Sequence, residues 1–249
     1  MPGIYIIAVL TIVVTVLLCV TTLNQLTQSA HRYDWLILAG LPLSLIVNRF
    51  IKIPLITSLA AWTSTPLRLG PDMPLWFIIL IWLNSPIFEE AIKILPMLLP
   101  ISRVFLHDPS QSLWAGLALG MGFGLGEAVY LAYGIAQNPA YNQLPWHTFT
   151  GFASERLVVT FAHGLMTSIT VLGLHYSKRK ALFGYLTAVG LHALINLGPV
   201  LSALRLIPAT VSSMGTYIAI LTAFVIFQNI SGAKKISGSA KEEIIYFER

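Results

Sequence analysis

LWFIILIWLNSPIFEEAIKILPMLL, residues 75–99, is apolar and long enough to cross a bilayer, yet it carries Glu89, Glu90 and Lys93. About 20 consecutive apolar residues suffice for a membrane-spanning helix. A charged side chain at the bilayer centre costs roughly 2.5 to 3.5 kcal/mol on insertion scales, so such residues face a bundle interior or a wet cavity. The stretch therefore predicts a transmembrane helix turned toward a polar site. Lys93 is one turn from either glutamate and can pair with either. Adjacent helix residues point about 100° apart, so Glu89 and Glu90 cannot share one role. Pro86 removes a backbone hydrogen bond just before them and loosens the helix there.

Six further apolar regions surround this one, giving an all-α, polytopic membrane helix bundle of seven transmembrane helices. They fall at residues 4–23, 35–62, 113–136, 152–176, 181–204 and 207–227. The second is interrupted by Asn48, Arg49 and Lys52, so an eight-helix alternative splits it in two. Residues 1–228 read as a single transmembrane domain and 229–249 as a polar tail, expected to be mobile. The first segment lacks the basic leader of a signal peptide and reads as an uncleaved anchor. Of the 249 residues, 56% are hydrophobic and 10% charged, whereas a soluble surface needs roughly a quarter to a third charged. The net charge of +5 arises in short connections, with no nucleic-acid footprint. With seven spans and the N-terminus outside, Arg32, Arg103, Lys178, Arg179, Lys180, Lys234, Lys235, Lys241 and Arg249 fall on the cytoplasmic side. Arg49, Lys52, Arg68 and Arg205 fall opposite, so the C-terminus is expected in the cytoplasm. The single cysteine, Cys19, excludes an internal disulfide framework and a thiolate metal cluster.

The other spans bring polar groups to the same level. Gly116, Gly120 and Gly124 repeat every fourth residue and give a smooth face for a neighbouring helix, with Glu127 just beyond. The glycines are not a nucleotide-binding loop, since no strand precedes them and no phosphate-binding lysine follows. Arg156, His163 and Thr167 share one face of the fifth segment, and His192 and Asn196 one face of the sixth. At about 1.5 Å per residue, Glu89, Glu127, His163 and His192 all fall within roughly two turns of the midplane. Arg156 and Lys93 read as counter-charges, and Thr167 as a residue that satisfies a carbonyl or holds His163. Trp76, Trp82, Trp114 and Trp146 suit interfacial anchoring.

A carboxylate in a partly wet, low-dielectric cavity can exchange a proton near neutrality. Glutamate with histidine can activate water, and histidine and asparagine donors can steady the oxyanion formed at an amide carbonyl. These parts match peptide-bond hydrolysis. The zinc-protease helix motif, the rhomboid serine loop and the presenilin-like aspartate motif are all missing from the sequence. A proton- or ion-coupled transporter also uses midplane carboxylates, but it predicts an internal repeat that the two halves do not show. A non-catalytic scaffold of the same fold is the third alternative.

The glutamate pair with Lys93, the Phe123 and Glu127 pair, and arginine-flanked His163 with Thr167 resemble the PrsW-type intramembrane proteases. His192 with Asn196 completes the ordered set between about residues 86 and 196. The arrangement is similar to the wider CAAX prenyl endopeptidase and bacteriocin-immunity superfamily. The chain departs from the PrsW pattern at Ala128, where such sequences often carry asparagine. The resemblance implies a catalytic set of Glu89, Glu90, Glu127, His163, His192 and Asn196. It implies Glu89 or Glu90 as base on water, with Glu89 favoured, assisted by His163, and His192 and Asn196 at the oxyanion. It further implies a single-pass membrane substrate such as an anti-sigma factor, and a prokaryotic plasma membrane. No cofactor is expected for a glutamate mechanism, although two imidazoles and a carboxylate are also a donor set for zinc.

Overall fold

The structure, a computed structural model, describes residues 1–27, 31–67, 69, 70 and 72–246, with residues 232–246 described by their backbone alone. Its helices are α1 (Gly3–Thr27), α2 (Asp34–Val47), α3 (Ile53–Trp62), α4 (Leu75–Lys93), α5 (Leu95–Leu98), α6 (Pro109–Gln137), α7 (Thr150–Tyr176), α8 (Lys178–Ala203) and α9 (Ala209–Tyr246). Seven spans are long and apolar enough to cross a membrane among the described residues. One joins α4 with α5, and the last covers Ala209–Ser231 of α9. No strand occurs among the described residues, so the all-α bundle expected from the sequence is what forms.

The ambiguous second region resolves into one span. A five-residue π-helix, Asn48–Lys52, joins α2 to α3 without a break, so that Asp34–Trp62 is a single helix. The eight-span alternative falls, and Lys52 moves from an external connection into the interior of a span. Arg68 and Arg249 of the charge asymmetry lie outside the described residues. The backbone of the polar tail continues α9 as helix to Tyr246.

Helix α6 is the axis of the bundle. Asp108 caps its start by accepting from the Gln111 amide at 2.9 Å, with Pro109 in the first turn where its missing N–H costs nothing. Leu119, Met121, Phe123 and Leu125 are wholly buried along it, in one core shared with α2 and α7. The row Gly116, Gly120 and Gly124 lies against the backbone of α7 at Ser168, His163 and Thr160. A second row, Gly122 and Gly126, lies against the carbonyls of Ile37 and Leu41 on α2. Lipid-facing positions such as Val9, Val13 and Leu17 of α1 and Leu221 and Val225 of α9 are exposed and apolar.

Because a Cβ at Gly120 would fall on the His163 carbonyl and 2.6 Å from Thr167 Oγ1, Gly120→Ala is expected to push α7 from α6. Overpacking of this kind costs about 1–3 kcal/mol. Thermal unfolding in detergent should show the loss, and the displaced carbonyl belongs to His163.

Two prolines leave their mark on the helix contacts. Pro199 in α8 cannot donate to the Ile195 carbonyl, and Thr216 of α9 takes that carbonyl instead at 3.2 Å. Pro86 lies inside α4, one turn before the glutamates, without ending the helix. Trp82, one turn earlier, donates its indole N–H to the Ala193 carbonyl of α8 at 2.8 Å. Trp82 is thus a link between spans, not the interfacial anchor its residue type suggested.

Candidate active site

Four consecutive spans converge on one polar cluster. Glu89, Glu90, Lys93, His163 and His192 are each at most 4% exposed. The two imidazole rings meet edge to face, with centroids 5.2 Å apart. The midplane side chains that the sequence picked out on separate helices are therefore neighbours in space.

Each histidine has its own carboxylate. His192 Nδ1 lies 2.7 Å from Glu90 Oε1. A carboxylate only accepts, so Nδ1 is the donor in this contact. Nε2 in turn lies 3.8 Å from Glu89 Oε2. His163 Nε2 lies 3.2 Å from Glu127 Oε2, while its Nδ1 accepts from the Lys93 ammonium at 2.7 Å. Phe123 packs edge to face on His163 with centroids 5.2 Å apart, which fixes the ring plane. Thr167 donates to the His163 carbonyl at 2.8 Å, as its spacing suggested.

The counter-charges are equally specific. Lys93 chooses Glu90 over Glu89, at 2.6 Å, and its ammonium also sits 4.5 Å above the Phe123 ring. Arg156 donates to Glu127 at 2.8 Å and to the more exposed Glu155 at 2.6 Å. Glu89 is held by Lys52, at the end of the π-helix. Sequence reasoning missed this residue, and the polar interruption Asn48, Arg49 and Lys52 inside an apolar region was the signal that could have found it. Glu89 Oε2 and Glu90 Oε2 remain buried without a hydrogen-bond partner.

A cavity of about 480 Å³ descends from the first turns of α7 and α9 to this cluster. Glu127, Arg156, His163, His192 and Asn196 reach its wall, and Glu89 and Glu90 lie behind the histidines. His192 and Asn196, the two residues expected at the oxyanion, both line this cavity.

One donor atom each from Glu89, His163 and His192 lie within 4.8 Å of one another, all buried. His192 has the usual support of a metal-bound imidazole, a carboxylate on Nδ1, whereas His163 would have to release Lys93 from Nδ1 or Glu127 from Nε2 to bind an ion. The unpartnered Glu89 oxygen calls for a cation or a proton donor. The residues thus fit a divalent metal of the zinc class, with three protein donors and an open position. The sequence expectation had placed the metal-free scheme first.

No curated protein and no solved structure matches the chain. Residues 34–228 match the family described as PrsW family intramembrane metalloprotease, a span that takes in every residue of the cluster and leaves out α1 and residues 229–249. Seven apolar spans and a buried glutamate and histidine site, within a match covering most of its length, make this chain a member of the PrsW family of intramembrane metalloproteases.

Proposed function

We propose that the chain hydrolyses a peptide bond of a single-pass membrane protein, such as an anti-sigma factor, near the membrane face carrying the α6–α7 and α8–α9 connections. The observation that carries this reading is the cavity that runs from that face to His163 and His192. By the basic-residue asymmetry that face is the outer side of a plasma membrane, with the C-terminus in the cytoplasm.

Glu89, His163 and His192 would hold the metal, and zinc suits the donors. Bound there, the ion would supply a Lewis acid that polarises the scissile carbonyl and acidifies water. Glu89 brings two oxygens, one for holding the ion and one for taking a proton. Its carboxylate accepts the proton as hydroxide adds to the carbonyl carbon, and returns it to the amine nitrogen as the C–N bond breaks. Glu90 is occupied by Lys93 and His192, which favours Glu89 as the base. The Asn196 amide donates to the developing oxyanion. Glu127, Arg156 and Lys93 fix the ring of His163. The buried walls exclude bulk water from the bond being cut.

The test compares new protein N-termini in membranes of cells expressing the wild type or His163→Ala at matched abundance, then treats the purified protein with a chelator. A cleaved membrane protein seen only with the wild type, with activity lost on chelation and restored by zinc, is the expected result. Full activity in metal-analysed, chelated protein would restore the metal-free scheme. Identical termini in both membranes would remove the protease reading and return the transporter alternative.

A further inference from the structure

Four lysines and arginines lie inside the spans, more than a turn from either end: Arg49, Lys52, Lys93 and Arg156. Three have a carboxylate, Lys52 on Glu89, Lys93 on Glu90 and Arg156 on Glu127. Arg49 is exposed on the outside of the bundle and has no ion pair or side-chain hydrogen bond among the described residues. Its neighbours on the π-helix are satisfied, since Asn48 donates to the Ser44 carbonyl at 2.8 Å and Lys52 turns inward. A guanidinium cannot shed its charge, and a charge on the lipid side of a span needs an anion.

Arg49 opens onto a groove of about 770 Å³ between the π-helix and the last turns of α6. Leu45, Phe50, Tyr130, Tyr133 and Tyr141 line it with Arg49, and no carboxylate does. The three tyrosine hydroxyls bond to nothing among the described residues. Gly134 leaves part of the wall bare, and an added Cβ there would meet nothing within 4 Å. The groove runs from apolar helix faces to Asn138 and Tyr141, beyond the end of α6 at Gln137. One end thus lies at acyl-chain depth and the other at headgroup depth, the level that tyrosine favours. A peptide helix would answer Arg49 only with an acidic residue at one fixed position, whereas a lipid presents a phosphodiester at that depth. A zwitterionic headgroup would add an ammonium that no carboxylate of the groove answers.

We propose that this groove binds a glycerophospholipid with a net-anionic headgroup, drawn from the leaflet on the side of the α6–α7 connection. The phosphate sits on Arg49, whose planar fork matches two of its oxygens, and the acyl chains lie along Leu45 and Phe50. Such a lipid braces the outer side of the π-helix whose inner side holds Glu89 through Lys52. The inference draws on neither the protease nor the metal reading.

The test is native mass spectrometry of the full chain in detergent, titrated with phosphatidylglycerol or with phosphatidylcholine of the same acyl chains. The wild type is expected to take one phosphatidylglycerol about fivefold more tightly than phosphatidylcholine, the effect of one cation near a headgroup. Arg49→Gln should bind the two lipids equally. Gly134→Leu, which fills the groove and leaves Arg49 in place, should weaken phosphatidylglycerol binding too. Excess inorganic phosphate should not displace the lipid, because it brings no acyl chain. Phosphatidylglycerol should also raise the melting temperature of the wild type more than that of Arg49→Gln. Equal binding of both lipids by the wild type, or unchanged phosphatidylglycerol affinity in either variant, overturns the proposal. Displacement by inorganic phosphate reduces Arg49 to a plain anion site and overturns the lipid assignment. If Arg49→Gln does not fold, Gly134→Leu decides alone. Unchanged lipid binding with cleavage lost in both variants would overturn the proposal and give the groove to a substrate's transmembrane segment.

Discussion

Glu89→Gln is expected to lower the rate of substrate cleavage by about 10²- to 10⁴-fold, the range lost when a general base is removed. The substitution keeps the shape of the side chain and deletes only its charge and its basicity. Glu89 Oε2 is buried and without a partner, so the change removes an acceptor that no other interaction occupies. Two consequences can be separated. Loss of the proton acceptor reads out as product formed per folded molecule. Loss of the charge leaves the Lys52 ammonium without its partner and lowers the melting temperature in detergent. Combining Glu89→Gln with Lys52→Met should recover the stability and none of the cleavage. A Glu89→Gln enzyme that cleaves at the wild-type rate would move the base to Glu90 or Glu127.

Lys93→Met is expected to be the most destabilising single change in the cluster, by about 3–5 kcal/mol, as for removal of one partner from a buried ion pair. Lys93 is 0% exposed and Glu90 1%, so the abandoned carboxylate has no water to turn to. The methionine fills much of the same volume, which confines the effect to charge. His163 loses the ammonium on its Nδ1 as well, and with it part of the constraint on its ring. Urea or thermal unfolding in detergent measures the first effect and the cleavage assay the second. The double variant Lys93→Met with Glu90→Gln should regain most of the stability while activity stays low, since Glu90 also orients His192. Little loss in Lys93→Met would mean that Glu90 is uncharged in the folded protein.

The sequence disclosed this site because charge is costly in an apolar run. Glu89, Glu127, His163 and His192 each violate the composition of the segment that contains them, and counting residues from the helix ends is enough to place them at one depth. Partner choice was less legible. Spacing allowed Lys93 to reach either glutamate, and only the rotation of α4 against α7 gives it to Glu90 and His163. Lys52 was hidden for a different reason. A π-helix has no sequence signature, and a polar pentapeptide between two short apolar pieces reads as a connection. The glycine row facing α7 was visible as a four-residue repeat. The second row, against α2, was not read, because its significance depends on which helix lies there.

The ion pairs have a bearing on how the chain enters a bilayer. Lys52 and Glu89 sit on the second and third spans, Glu127 and Arg156 on the fourth and fifth, and Glu90 and Lys93 on one and the same span. Each of these six charges finds its opposite on its own segment or on a segment next to it in order of synthesis. Spans released from the ribosome two at a time, as hairpins, could thus leave the insertion channel with their charges already matched. None would have to meet the hydrocarbon alone at roughly 2.5 to 3.5 kcal/mol per charge. His163 and His192 need no such escort, since an imidazole can cross uncharged. The pairing that holds the buried cluster in place is therefore also an order of assembly, written into the succession of the helices.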